Sequence, residues 1–170
     1  MNPAHRLEED FETSEEILAE AEQHVAAGRL SKAEEIFASQ CECDIEHRPR
    51  ALMGLAHCAV ARHCVHEALG HLQELQNIDP HYPSLDNDFG VVYYQLGLVD
   101  QARASFDRAV REDASHLEAW RNLLHIALEM RDANACVEAS QRILGQDPSD
   151  PTARAIMDAA ASESIAAAGF

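Results

Sequence analysis

The sequence predicts an all-α protein in which pairs of helices repeat along the chain. Small residues return every 34 positions, at Ala68, Ala102 and Cys136. Large apolar residues keep the same spacing, at Leu55, Phe89 and Leu123. A fixed period of this length is typical of a repeat array, in which each unit buries its apolar face against its neighbours. At 170 residues and 46% hydrophobic content, the chain can form about four such units in one domain.

The first copy, residues 14–47, is the least regular. Ala33 and Phe37 occupy repeat positions, but Glu20 stands where an apolar residue is usual. Ser31 and Glu34 have the spacing of a capping box, which predicts that a helix starts at this point.

Three sharper copies follow, at residues 49–82, 83–116 and 117–150. Pro80 ends the second copy, and Pro148 ends the fourth copy two periods later. In the third copy, Gly90 and Ala102 supply the small residues that let two helices approach to about 8–10 Å.

The final segment, residues 151–170, is predicted to form one more helix. Asp150 is placed to cap a helix that begins with Pro151, and Asp100 is placed in the same way for the second helix of the third copy. A terminal helix with polar positions would shield the exposed end of the array.

The third copy carries a recognisable signature: Phe89-Gly90-x-x-Tyr93, then Leu96-Gly97, then Ala102-x-x-x-Phe106-x-x-Ala109. It resembles the tetratricopeptide repeat, and the resemblance extends over roughly residues 14–148. The resemblance implies a right-handed α–α superhelix of about four helix pairs plus a C-terminal capping helix and tail at 151–170, preceded by an acidic N-terminal extension at 1–13. It also implies a non-enzymatic adaptor or scaffold that binds a peptide segment of a partner protein in a concave groove.

In this family the first helix of each pair faces the groove. The positions that the resemblance places there are Arg50, Met53, His57, Asn87, Val91, Tyr94, Gln95, Arg121, His125 and Leu128. They combine apolar anchors with groups that can hydrogen-bond a peptide backbone. Packing between helices is the alternative for Met53, Val91 and Leu128, and Tyr94 is the strongest candidate.

The charge of the chain favours a neutral or basic partner over an acidic one. The net charge is −17, and residues 8–46 hold thirteen of the thirty acidic side chains. Such a block repels nucleic acid and anionic membranes and attracts basic peptides, although it can also serve only as a solvated surface. The Lys, Asn and Arg set with which related repeats grip acidic chaperone tails is missing, because Asp88 and Glu118 stand at corresponding places.

A second resemblance gives an alternative role. Residues 33–37, with the sequence AEEIF, and residues 52–58, with the sequence LMGLAHC, look like the first repeats of small tetratricopeptide chaperones. Those chaperones hold translocator proteins of bacterial type III secretion, and they are also short, acidic and cytoplasmic.

A third alternative is a metal-binding or redox module on the same scaffold. Two triplets combine thiols and imidazoles, namely Cys41, Cys43 and His47, and His63, Cys64 and His66. Zinc prefers four ligands in one tetrahedral shell, and the repeat geometry places the triplets about 20 Å apart, at opposite ends of a helix. We therefore predict no metal site and no cofactor.

Enzymatic and membrane-spanning classes have no support in the sequence. No phosphate-binding loop, nucleophile elbow or other catalytic motif is present, so no catalytic residue is assigned. Residues 1–10 lack the apolar stretch of a signal peptide, and residues 51–61 fall short of a membrane span. The five cysteines are an odd set, and Cys58 and Cys136 fall at packed positions, which does not suit a disulfide framework. We expect a cytoplasmic monomer or weak homodimer.

Overall fold

The computed structural model describes residues 13–167, with side chains described through residue 162. This part of the chain forms nine α-helices and no strand, which confirms the predicted all-α repeat fold. The helices are α1 (Ser14–Ala26), α2 (Leu30–Cys43), α3 (Arg48–Ala61), α4 (Val65–Ile78), α5 (Leu85–Gln95), α6 (Val99–Glu112), α7 (Leu117–Met130), α8 (Ala133–Gln146) and α9 (Pro151–Ala167). Apart from Thr13, the predicted acidic extension lies outside the described residues.

The helices group into two compact units, the first ending at Tyr82 and the second beginning at Pro83. In each unit, helices that follow one another in sequence pack together, and the contact of α8 with α9 continues the pattern. Helices one step further apart also touch, α1 with α3 and α5 with α7. This connectivity is that of stacked helix pairs. Within residues 13–167 no helix combines the length and apolar character that crossing a bilayer requires.

The core of the first unit depends on a ring packed against a glycine. Phe37 of α2 is fully buried with Leu18, Ala33 and Cys58. Its ring lies against Gly54 of α3, so closely that a Cβ at that position would overlap the ring. The absence of a side chain at Gly54 therefore allows α2 and α3 to approach each other.

In the second unit an aromatic ring also packs against a glycine, but the two residues lie on different helices of the repeat. The ring of Phe106, on α6, lies against Gly90 of α5 and leaves no room for a Cβ there. The close approach predicted at Gly90 is therefore present. Phe106 packs with Ala102 and Ile126, and a neighbouring core cluster contains Trp120.

Left-handed turns start the second helix of every pair. Residues 28, 63, 97 and 131 all have positive φ, and they are Gly28, His63, Gly97 and Arg131. Each turn is closed by a backbone hydrogen bond from the next residue back to the carbonyl five positions earlier, as in Arg29 N–H to His24. This is the Schellman pattern, which satisfies carbonyls at the end of the preceding helix.

These turns explain why two predicted helix caps are wrong and why one is right. Helices α2 and α6 begin directly after the turns, with Arg29 and Leu98 as N-caps that form no side-chain bond, so Ser31 and Asp100 lie inside the helices. Asp150, which follows no such turn, accepts bonds from the backbone of the first turn of α9, as predicted.

Replacing Gly54 by Ala should destabilise the protein by about 1–3 kcal/mol, because the added methyl overlaps the fully buried Phe37 ring. Gly70→Ala provides a matched control in α4, where a Cβ meets nothing within 4 Å. That variant should gain about 0.5–1 kcal/mol from improved helix propensity. Denaturant unfolding of the full chain measures both changes, and equal effects of the two variants would contradict the packing described here.

Candidate peptide-binding site

Three of the predicted groove residues lie on α3 of the first unit. Arg50 donates two hydrogen bonds to Glu22 of α1, at 2.8 and 2.9 Å. Met53 is only 7% exposed, so it has almost no surface to offer a peptide. His57 is exposed. Helix α3 therefore presents polar groups and no exposed apolar anchor among these three positions.

The other seven predicted residues lie on α5 and α7 of the second unit. Helix α5 carries Asn87, Val91, Tyr94 and Gln95, and α7 carries Arg121, His125 and Leu128. Asn87 is buried and accepts a hydrogen bond of 3.1 Å from the amide of Asn122, which links the two helices. The other six retain exposed surface.

Two cavities lie along α7. The first, of about 240 Å³, is lined by Val91, Tyr94, Gln95, Phe106, Asn122, His125 and Ile126. The second, also of about 240 Å³, is lined by Arg121, Leu124, His125, Leu128, Asp150 and Thr152. His125 contributes to both, so the cavities adjoin at this side chain. We call the two cavities together the α7 site.

Tyr94 is held at the rim of the first cavity by two polar partners. Its hydroxyl donates to Oε1 of Glu129 at 2.7 Å and shares a hydrogen bond of 2.9 Å with Nε2 of His125. The Tyr94 and His125 rings also meet edge to face, with centroids 5.4 Å apart. The hydrogen bond to Glu129 raises the pKa of the Tyr94 phenol, because it favours the neutral form beside a carboxylate.

Arg121 was predicted to face a peptide in the groove, but its guanidinium is bonded to three carboxylates of the protein. Its guanidinium donates to Glu118 at 2.8 Å, to Asp147 at 3.0 Å and to Asp150 at 3.3 Å. Hydrogen bonding to Glu118, with a further contribution from Asp150, raises the pKa of Arg121. Arg121 thus joins α7 to the segment between α8 and α9, and its charge is already matched by carboxylates.

The helices around this site match a known family. Residues 65–125, from the start of α4 into α7, fit the family model described as tetratricopeptide repeat. Over these residues the sequence matches the tetratricopeptide repeat. The tetratricopeptide repeat is an interaction fold, generally without enzymatic activity, whose members bind protein or peptide partners.

Solved tetratricopeptide repeat structures resemble this chain over most of its length. One is a thermophilic protein of Thermus thermophilus, with 22% identity, a TM-score of 0.75, and coverage of 88% of this chain and 81% of that one. Another belongs to the APC/C hetero-tetramer Cut9-Hcn1, with 16% identity and a TM-score of 0.74 over 88% of this chain. The match spans only 30% of the chain in that assembly.

A third similar structure is a tetratricopeptide repeat protein from Parabacteroides merdae. It is 17% identical with a TM-score of 0.70, over 85% of this chain and 57% of that one. At these identities the likeness concerns the fold. No curated protein matches the sequence significantly.

Electrostatically, the α7 site is acidic. Asp150 lines it, and three further carboxylates bond to side chains that line it, namely Glu118 and Asp147 to Arg121 and Glu129 to Tyr94. Glu129 was missed in the sequence analysis. Its position, four residues after His125 on the same helix face, is the signal that could have indicated it.

Cys41, Cys58 and Cys136 have the properties of packing residues. All five cysteines are free thiols. Burial raises the pKa of Cys58 to about 11, and burial is also the main cause of the raised pKa values of Cys41 and Cys136. Reactive and metal-binding thiols instead need a lowered pKa. Among residues 13–162, no three His, Cys, Asp or Glu side chains are grouped so as to hold a metal ion.

Replacing Glu129 by Gln should lower the pKa of Tyr94, because the amide can still accept a hydrogen bond but has no charge to disfavour the phenolate. An alkaline titration of tyrosine absorbance measures the change. Tyr94→Phe is made in the native protein and in the Glu129→Gln variant. Each of these leaves the absorbance of Tyr82 and Tyr93 alone, and subtracting it gives the titration of Tyr94. If the Tyr94 titration is the same with and without the Glu129 charge, the contact is not present in solution.

Proposed function

We propose that this protein is an adaptor or scaffold that binds a peptide segment of a partner protein at the α7 site of its second unit. The observation that carries the proposal is the placement of the Tyr94 hydroxyl, which Glu129 and His125 hold at the edge of an apolar cavity. Its partners orient this side chain in advance, so little rotamer freedom is lost when a ligand binds.

The first cavity can accept one apolar side chain of the peptide. Phe106 and Ile126 form a buried floor, and Val91 provides a half-buried wall. Peptide-binding surfaces draw most of their affinity from such an anchor seated in a desolvated pocket. Tyr94 contributes an aromatic face next to the opening, and aromatic residues are enriched among binding hot spots.

Polar groups at the same opening suit a peptide backbone. Gln95 is exposed, and its amide offers both donors and an acceptor. Asn122 donates one amide hydrogen to Asn87 and keeps an acceptor oxygen beside the cavity. An extended segment could therefore bond through its main chain while one of its side chains fills the cavity.

The second cavity extends this surface along α7. Leu128 is 44% exposed there and provides a second apolar contact. Because His125 borders both cavities, a peptide anchored beside Tyr94 would pass over His125 to reach Leu128. Arg121 shapes the far wall by holding Asp150, so we assign it a positioning role.

The acidic surroundings favour a partner that is neutral or basic. Of the four carboxylates around the site, Glu118 is 65% and Glu129 48% exposed, so both are accessible to a ligand cation. Such charges contribute mainly to association rate and to discrimination between partners. An acidic segment would be repelled at this face.

The other sequence predictions stay predictions. They include the contributions of Arg50, Met53 and His57 in the first unit, the boundaries of the four repeats, the capping role of α9, the cytoplasmic location, and a monomer or weak dimer. No specific observation favours the type III secretion chaperone role or the metal and redox module over an adaptor.

The proposal can be tested by selecting peptides from a displayed random library on the full chain and measuring their affinity by fluorescence anisotropy. Tyr94→Ala should weaken binding by roughly tenfold or more, because hot-spot truncation costs at least about 2 kcal/mol. Tyr94→Phe isolates the hydroxyl, and Tyr93→Phe is its matched control, since Tyr93 stacks on Phe89 within the fold.

We expect the selected peptides to be enriched in Lys and Arg and to compete with one another for one site. Circular dichroism of each variant confirms that helicity is kept. Peptides that bind Tyr94→Ala as tightly as the native protein would refute the assignment of this site.

A further inference from the structure

Another cleft, of about 390 Å³, lies between α6 and α8 of the second unit and shares only Ile126 with the lining of the α7 site. None of the residues that the sequence analysis assigned to peptide binding lines it. Residues four apart on one face of α6 form one wall, namely Arg103, Asp107 and Arg111. Glu138 and Arg142 of α8 form the other. We call this the α6–α8 cleft.

The lining of the cleft has a small net positive charge, about +1, in a strongly acidic chain. It contains three guanidinium groups and two carboxylates, whereas the whole chain has a net charge of −17. Guanidinium groups that outnumber carboxylates on such a background favour an anionic partner at this face.

The arginines of the cleft are poorly neutralised. Arg103 reaches Asp132 only at 4.0 Å. Among the described residues, no carboxylate lies within ion-pair distance of Arg111 or Arg142. Five arginines outside the cleft are closely paired with carboxylates, namely Arg48, Arg50, Arg62, Arg108 and Arg121. The donors of the cleft therefore remain available to a ligand.

The floor of the cleft is apolar and rigid. Trp120 is 8% exposed, and its indole nitrogen donates to the Ala114 carbonyl at 3.0 Å. The guanidinium of Arg142 lies 5.6 Å from the centroid of its ring, which is a cation–π contact. Leu123 and Ile126 line the cleft beside Trp120.

We propose that the α6–α8 cleft is a second binding site and that it takes an acidic polypeptide segment in which an apolar side chain lies between carboxylates. The carboxylates would pair with Arg103, Arg111 and Arg142, since guanidinium groups bind carboxylates in a fixed two-pronged geometry. The apolar side chain would rest on the Trp120 floor, a contact that a small inorganic anion cannot use. This site and the acidic α7 site would therefore select segments of opposite charge.

The test uses the full chain and a synthetic peptide in which one phenylalanine is flanked by glutamates. Trp120 is the single tryptophan of the protein, so its emission reports directly on the cleft. We expect the peptide to bind with a change in Trp120 emission and with an affinity that falls as salt is added. Arg111→Gln should weaken binding roughly tenfold, because hydrogen bonds to charged groups are among the strong ones.

Three controls make the outcome decisive. Arg154→Gln removes the same charge on α9 outside the cleft and should leave the affinity unchanged. Tyr94→Ala should also have no effect, so this proposal can fail or succeed independently of the proposed function. A peptide with glutamine in place of glutamate should not bind.

The proposal is overturned if the native protein does not bind the acidic peptide, or if Arg154→Gln weakens binding as much as Arg111→Gln does. It is also overturned if binding leaves Trp120 emission unchanged, or if inorganic phosphate alone reproduces the emission change at the same concentration.

Discussion

The fold depends on aromatic rings packed directly against the backbone of a facing helix. Phe37 and Phe106 are almost fully buried, and each occupies space that any Cβ on Gly54 or Gly90 would fill. Because interiors are close-packed, this fit fixes the distance between the two helices and the depth to which the ring enters. In the second unit, the same Phe106 that holds α6 against α5 also forms the floor of the first cavity. Core packing and site shape are thus set by one side chain.

The period of the sequence predicted the helix pairs because burial at stacked interfaces repeats with the units themselves. The contact between Phe37 and Gly54 was not predicted, because Gly54 and Gly90 do not occupy equivalent positions of the repeat. Phe37 reaches forward to the first helix of the next pair, whereas Phe106 packs within its own pair. A spacing of 34 residues cannot reveal such a change of partner.

The helix faces that carry the candidate site could also be predicted from periodicity, but the contacts between its side chains could not. Val91, Tyr94, Gln95 and His125, which the sequence assigned to the groove, line one cavity, because helical periodicity determines which face of α5 and α7 they share. The roles of Glu129 and Arg121 depend on ion pairs and hydrogen bonds between side chains, and these follow from tertiary contacts that no periodicity encodes. The burial of Met53 and Asn87 likewise depends on how tightly neighbouring helices close over them.

The left-handed turn at Arg131 has a consequence for the stability of the last turn of α7. A side chain in this backbone region costs roughly 1–2 kcal/mol relative to ordinary helical geometry, and glycine escapes that penalty at Gly28 and Gly97. Fraying of this helix end is therefore less costly than at the glycine turns. Glu129 lies in the segment that would unwind, so release of the turn would also free the Tyr94 hydroxyl. Unwinding of this turn would therefore loosen the rim of the first cavity.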